Sequence, residues 1–451
     1  MELPGSEITA PRNKVYPRHV RGRFRNLRNF FSFALQALLF LIPWLQWEGR
    51  QAVLADLPGR KLFLFDLVLH PQDTYFLHLL LISAALTLFF VSAIAGRMWC
   101  GYACPQTLFT QSFLMVERWF EGDRAARLRL DRAPWSVGKL ARKLGKWSGW
   151  TAMGLWLGMT FSGYYLPIRE VFAQVLSGQP EPTVALVVLG MTAWCLFDFG
   201  YFREQFCHYV CPYSRFQSVM LDADSLIVGY DQDRGEPRGK LKQSEKGDCI
   251  DCSMCAQVCP MGIDIRDGFQ MECIACTACI DACDQVMDKI HKPRGLIRYT
   301  SQRQQEKQRP QWLRTRVLVF TTTLILMVGL FWGLVLTRQP LDIDAVRVIL
   351  PGGQLAGTTP DGRATNIFKV HLINRTAREQ QIQLDLEGLE GAEIVGFSNP
   401  HLLPAGEVLE AQVLVVALRQ QSRGVRPFRF RARANDSSGL TCHKEATYVI
   451  P

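Results

Sequence analysis

Five stretches of this chain are apolar for long enough that a lipid bilayer is their natural surroundings. They run at 29–47, 76–96, 149–168, 183–202 and 317–336, each close to the ~20 residues that carry a helix across the hydrocarbon core. No water is available there to satisfy backbone N–H and C=O groups, so the stretches must be helical. The first follows a basic stretch, as a signal peptide would. Its apolar run outlasts a signal-peptide core and no A-x-A cleavage site follows, so it reads as an uncleaved anchor. The expected fold class is therefore a multi-domain membrane protein built on an α-helical five-span bundle.

The connections between spans differ sharply in charge. Residues 1–28 hold seven Lys and Arg and 97–148 hold ten, whereas 48–75 hold three and 169–182 only Arg169. By the positive-inside rule the N-terminus, 97–148 and 203–316 are cytoplasmic, and the tail after residue 337 lies outside, in the periplasm. The formal charge of +10 is then explained by orientation and by contact with anionic lipid, and nucleic acid is not an expected partner. The predicted layout is a basic cytoplasmic arm at 1–28, a four-helix membrane domain at 29–202, a cytoplasmic region at 203–316, a fifth span at 317–336 and an outer domain at 339–451.

Two of the cytoplasmic edges carry the same phrase. "WCGYACPQ" at 99–106 is echoed by "FCHYVCPY" at 206–213, and Cys100, Tyr102, Cys104, Pro105 and Phe109 recur as Cys207, Tyr209, Cys211, Pro212 and Phe216. A Gln-Ser pair follows each time, at 111–112 and 217–218. Each copy ends a two-span hairpin, so the relation is a parallel repeat about an axis along the membrane normal. That symmetry predicts that the four thiols share one depth and face one another within about 10 Å. Proline is tolerated at the first turn of a helix, so each phrase predicts a helix opening at Pro105 or Pro212. Cys104 and Cys211 would then sit at helix N-termini, where the dipole favours thiolate. A lone cysteine at a bilayer edge is ordinarily packing; four in repeated pairs point to metal or redox chemistry. His208 and Met98 are neighbouring candidates for extra ligands. Asp198, inside the fourth span, is a functional candidate or a partner for Arg203, whereas Cys195 and Cys442 read as buried structural thiols.

The chain holds fourteen cysteines, and the densest group decides the chemistry. "CIDCSMCAQVCP" and "CIACTACIDACD" between 249 and 284 each read C-x2-C-x2-C-x3-C, the spacing of bacterial two-cluster ferredoxins, in which the fourth cysteine of each half ligates the other cluster. One 4Fe–4S cluster is expected on Cys249, Cys252, Cys255 and Cys283, the other on Cys259, Cys273, Cys276 and Cys279, within a ferredoxin-like domain at about 240–295. Structural zinc seldom uses eight cysteines in this crossed order. After residue 339 the runs "NIFKVHLIN", "QIQLDLEG", "VLEAQVLVVAL" and "RPFRFRARAN" alternate with period two between turn residues, which predicts an antiparallel immunoglobulin-like β-sandwich.

The order of these parts, and the stretch 247–299 in particular, resembles the CcoG family, also called FixG or RdxA, over essentially the whole chain. The resemblance implies an accessory protein for maturation of cbb3-type cytochrome c oxidase, working with assembly factors and copper chaperones. It further implies an inner-membrane iron–sulfur oxidoreductase that reduces Cu(II) to Cu(I), supplied by a cytoplasmic electron donor. Thiolates prefer Cu(I), which makes Cys100, Cys104, Cys207 and Cys211 the candidate copper site. The membrane part also resembles quinol dehydrogenases of the NapH and NosR type, so an electron relay from quinol is one alternative and a non-enzymatic assembly scaffold another. A further cluster on the four membrane-edge thiols is a third.

Overall fold

The computed structural model describes residues 14–450 apart from 48, 66, 242, 244–246, 312, 350–353, 377, 417–423 and 436–438, and without the side chains of Gln72 and Ser218. Part of the basic arm and the last residues of "VLEAQVLVVAL" therefore lie outside the described residues. The chain divides into two compact units, one made of 1–45 and 75–331, the other of 46–74 and 332–451.

Four helices among the described residues are long and apolar enough to cross a bilayer: Arg23–Trp44, Thr74–Ala95, Pro182–Phe202 and Thr315–Leu336. The stretch expected to span at 149–168 differs. It forms the second half of a 26-residue helix, α1 (Val137–Ser162), whose first half carries Lys139, Lys143 and Lys146. The helix stops at Gly163, and Pro167 caps a separate short helix, Ile168–Leu176. Proline has no N–H to donate and clashes with the preceding turn, so a continuous helix to 168 is not available. A Cβ on Gly158 would lie 2.8 Å from Val188 O, and one on Gly154 would lie 3.1 Å from Thr192 Cγ2. This small-xxx-small stripe lets α1 lie directly against Pro182–Cys195, the way membrane helices pack where apolar burial gives no driving force.

The cysteine-rich segment forms a small module of the first unit. It is closed by a two-stranded sheet in which Ile227–Tyr230 pairs antiparallel with Ile297–Thr300. These strands lie outside the 240–295 expected from the cysteines, because four-residue strands far apart in sequence leave no pattern to read.

The second unit is a β-sandwich. One sheet runs, in spatial order, Glu393–Val395, Val408–Val416, Ala364–Asn374 and Leu341–Arg347; the other runs His401–Leu403, Gln380–Glu387, Gly424–Ala434 and Thr441–Ile450. All described pairings between them are antiparallel. Alternate residues such as Phe368, Val370 and Leu372, or Phe428, Phe430 and Ala432, form the core with Tyr448 and Cys442. The segment 46–74, which charge alone marks as a connection, belongs to this unit. It contributes a three-stranded sheet, Val53–Asp56, Lys61–Leu64 and Leu67–Leu69. Asp73, 1% exposed, ion-pairs with Arg338 and with Arg375 at 3.1 Å.

Candidate redox site

Eight cysteines surround two adjacent cavities. One, with ≈ 350 Å³ of empty volume, is lined by Cys249, Cys252, Cys255 and Cys283 together with Tyr230 and Arg266. The other, ≈ 360 Å³, is lined by Cys259, Cys273, Cys276 and Cys279, and Cys255 also reaches its wall. The crossing arises from two helices. Met254–Val258 carries the chain from Cys255 to Cys259, and Ala278–Lys289 carries Cys279 and Cys283. Each loop before its helix has left-handed residues at the same places, Asp251 and Ser253 in one half, Ala275 and Thr277 in the other, with φ between 50° and 61°. Alternating helical handedness turns successive N–H groups to one side, the nest that suits anionic iron–sulfur sites. Among the described residues no three His, Cys, Asp or Glu side chains gather tightly enough for a single metal ion. A cubane differs in requirement, since its four thiolates each take a different iron. The all-cysteine donor sets fit 4Fe–4S clusters.

The membrane-edge phrases meet beside the second cavity. Cys100 lies on the short helix Met98–Tyr102, Cys104 caps Pro105–Glu121, Cys207 sits in a widened π turn at Phe206–Val210, and Cys211 caps Pro212–Met220. Both prolines open their helices, as the repeat requires. The copies are bonded to one another. The Cys100 thiol donates to Gln217 Oε1 at 3.4 Å, Gln217 Nε2 donates to Gly96 O at 2.8 Å, and Arg97 Nη2 donates to Ser214 O at 2.8 Å. Burial, and then the charges of Cys104, Cys100 and Cys211, push the Cys207 thiol up to about 12. The structure thus brings all four cysteines within electrostatic reach. Cys100 and Cys207 also pack in one apolar cluster with Cys259, Cys276 and Cys279.

Two expectations need correction. Burial raises the Cys104 pKa even though Thr107 and Gln106 N–H groups favour its thiolate. Desolvation outweighs the helix end here and favours the protonated thiol. Asp198 and Arg203 do not pair through their side chains. Asp198 accepts from Gln106 Nε2 at 2.9 Å, while Arg203 Nη2 binds Glu117 Oε2 at 2.8 Å. Glu117, fully buried, also holds Arg127 at 3.2 Å and Lys14 at 3.6 Å. Its partners lie 10, 86 and 103 residues away, which no local pattern in the sequence could reveal.

The cysteine module is docked on the first phrase. A Cβ on Gly101 would lie 2.7 Å from Ile274 O and 3.0 Å from Ala275 O, both in the loop that carries Cys273 and Cys276. Tyr102 and Thr277 share a hydroxyl hydrogen bond of 2.8 Å. On the opposite flank Asp281, from the helix bearing Cys279 and Cys283, accepts from the N–H groups of Phe24 (3.3 Å) and Arg25 (2.7 Å). A carboxylate from a distant element thereby caps the first membrane helix.

The chain matches a family model described as a 4Fe-4S dicluster domain over 202–302 and a 4Fe-4S binding domain over 77–122. A third, describing the IG-like fold at the C-terminus of FixG, matches 331–451. The chain is 40% identical to the protein RdxB of Cereibacter sphaeroides, covering 91% of this chain and 90% of that protein. It is 39% identical to RdxA of the same organism, covering 85% and 84%. It is 36% identical to the nitrogen fixation protein FixG of Rhizobium meliloti, covering 84% and 80%. With cysteine-lined cavities, membrane-length helices and a C-terminal sandwich all in place, the chain belongs to the FixG/Rdx family of membrane iron–sulfur proteins.

Proposed function

We propose that this protein is an inner-membrane oxidoreductase that reduces Cu(II) to Cu(I) during assembly of a cbb3-type cytochrome c oxidase. The observation that carries the reading is the convergence of Cys100, Cys104, Cys207 and Cys211 beside the second cysteine cavity. Copper is the substrate here. Soft thiolates stabilise Cu(I) over Cu(II), so a thiol site favours the electron's arrival on bound copper. Burial raises the Cys100, Cys104 and Cys207 thiols, so copper binding there displaces protons and strengthens as pH rises.

Cys249, Cys252, Cys255 and Cys283 would hold one 4Fe–4S cluster, and Cys259, Cys273, Cys276 and Cys279 the other. Bound there, the clusters supply electrons one at a time, as a one-electron reduction needs. Cys252 is exposed, so a donor protein would approach at the first cavity. Packing also bears on topology. Tyr102 and Thr277 touch, so 97–136 and 203–300 share one side of the membrane. The chain between them must then cross an even number of times, which supports α1 as a crossing and five spans in all. With the positive-inside rule this supports a cytoplasmic position for the clusters and a periplasmic one for the β-sandwich, where copper chaperones and assembly factors would meet it.

The test is anaerobic single-turnover reduction of Cu(II) by cluster-replete protein, comparing the parent with the double variant Cys207→Ser, Cys211→Ser. Loss of reduction with iron content unchanged supports the copper site; reduction at the parent rate refutes it. One observation favours a second reading. The 4Fe-4S binding domain match at 77–122 contains only Cys100 and Cys104, so the four thiols would hold a third cluster. Iron and sulfide of about twelve per chain rather than about eight would select it.

A further inference from the structure

Beside the second cysteine cavity and Cys207 lies a larger one, with ≈ 920 Å³ of empty volume, walled by the N-terminal arm, the first membrane helix, the helix Pro105–Glu121 and the loops around Cys259 and Cys276. Its lining is mostly apolar, yet six arginines reach it: Arg18, Arg25, Arg28, Arg118, Arg127 and Arg203. Arg127 and Arg203 are already paired on Glu117, and Arg18 Nη1 contacts Met254 Sδ at 3.0 Å. The remaining three are different. Arg28 is 4% exposed, and among the described residues it has no hydrogen-bond or ion-pair partner. The Nε of Arg25 is likewise buried without a partner, and Arg118 reaches the same cavity with the Asp123 carboxylate as its electrostatic neighbour. Thr110 Oγ1, on the same wall, is buried and unpartnered. The wall also carries two acids, Asp123, which accepts from the His19 N–H at 3.1 Å, and Glu204.

Leaving a guanidinium buried and unpaired is strongly destabilising. The planar fork is matched best by phosphate or carboxylate oxygens. We infer that this cavity binds an oxyanion-bearing ligand, its phosphate or carboxylate group held by Arg28, Arg25 and Arg118 with the Thr110 hydroxyl as a further donor. The same chemistry is offered by an anionic lipid headgroup, with its chains along Leu114 and Met115, and by a free phosphate. The site is independent of the copper reading. It has a consequence for the cysteine module, since Arg25 interacts electrostatically with Cys276. A bound anion offsets positive charge next to the second cluster and moves its potential more negative.

The experiment uses cluster-replete full-length protein. Inorganic phosphate is titrated by calorimetry in detergent. In parallel, lipid retention is read by native mass spectrometry after release from nanodiscs of equal phosphatidylglycerol and phosphatidylcholine. Phosphate binding, or selective retention of phosphatidylglycerol, is expected, and Arg28→Gln should weaken it roughly tenfold to a hundredfold, the size of a charge-assisted hydrogen bond. Phosphate binding assigns a soluble ligand, and phosphatidylglycerol alone assigns a lipid. Arg118→Gln and Thr110→Val serve as milder second variants, with cluster absorbance reporting that the fold is intact. EPR-monitored titration should show the more negative cluster potential only while the anion is bound. Retention of neither anion, equal binding by Arg28→Gln, or retention of a neutral quinone instead overturns the inference. So does binding that is absent from the full chain and emerges only on removing residues 2–13, because Glu2 or Glu7 would then fill the site.

Discussion

Replacing Gly101 by Ala tests how the cysteine module is seated on the membrane helices. Gly101 lies in the helix Met98–Tyr102, where alanine would ordinarily stabilise by about 1 kcal/mol. The added methyl, however, would sit 2.7 Å from Ile274 O and 3.0 Å from Ala275 O. The nearer contact is about 0.7 Å short of ordinary van der Waals separation, and both obstructing atoms are backbone, so no side chain can swing aside. Overpacking of this kind costs about 1–3 kcal/mol, so the helix preference is outweighed or at best cancelled. The loop bearing Cys273 and Cys276 must retreat, and with it the cluster proposed there. Gly138 is the control, because a Cβ there meets nothing within 4 Å, and Gly138→Ala should be neutral or stabilising. EPR of reduced protein should show one of two cluster signals shifted or lost in Gly101→Ala, with the other unchanged. Denaturant midpoints read from cluster absorbance should fall in the same variant alone. An unaltered spectrum and midpoint would show that the loop does not rest on Gly101, and the docking argument would fail.

Glu117→Gln should destabilise the first unit by about 3–5 kcal/mol, because Arg127 and Arg203 are left buried without a counter-charge; thermal unfolding followed by cluster bleaching measures it. Burial alone would raise the Glu117 pKa, but Arg203, Arg127 and Lys14 outweigh it and hold the group below its ordinary 4.5. Its stabilisation is therefore complete above pH 4.5 and is lost as the pH falls through the depressed value. The parent should lose stability in that acid range, and Glu117→Gln should lose less. Asp73→Asn should loosen 46–74 from the β-sandwich by withdrawing the charge that holds Arg338 and Arg375, seen as faster proteolysis at 46–74 with iron content unchanged. Cys249→Ser should lower iron content and slow Cu(II) reduction while copper still binds, the converse of the Cys207→Ser, Cys211→Ser double variant.

The features legible in the sequence are those written into local spacing. Eight cysteines in a crossed repeat, two Cys-x3-Cys-Pro phrases, period-two runs in the tail and long apolar blocks each encode a physical requirement within a few residues of themselves. The prolines at 105 and 212 do open helices, and Phe368, Val370 and Leu372 do point into a sandwich core. Tertiary structure alone decided the rest. It joined 46–74 to the distant tail through Asp73, gave Arg203 to Glu117 instead of Asp198, and made burial prevail over the helix end at Cys104. It also gathered Arg25, Arg28 and Arg118 around one cavity from two separate helices. Electrostatic partners and desolvation depend on distances through space, which residues far apart in the chain acquire only when helices and sheets pack. Metal-ligand spacing and side-chain alternation depend on the backbone's own repeat, which a sequence carries in full.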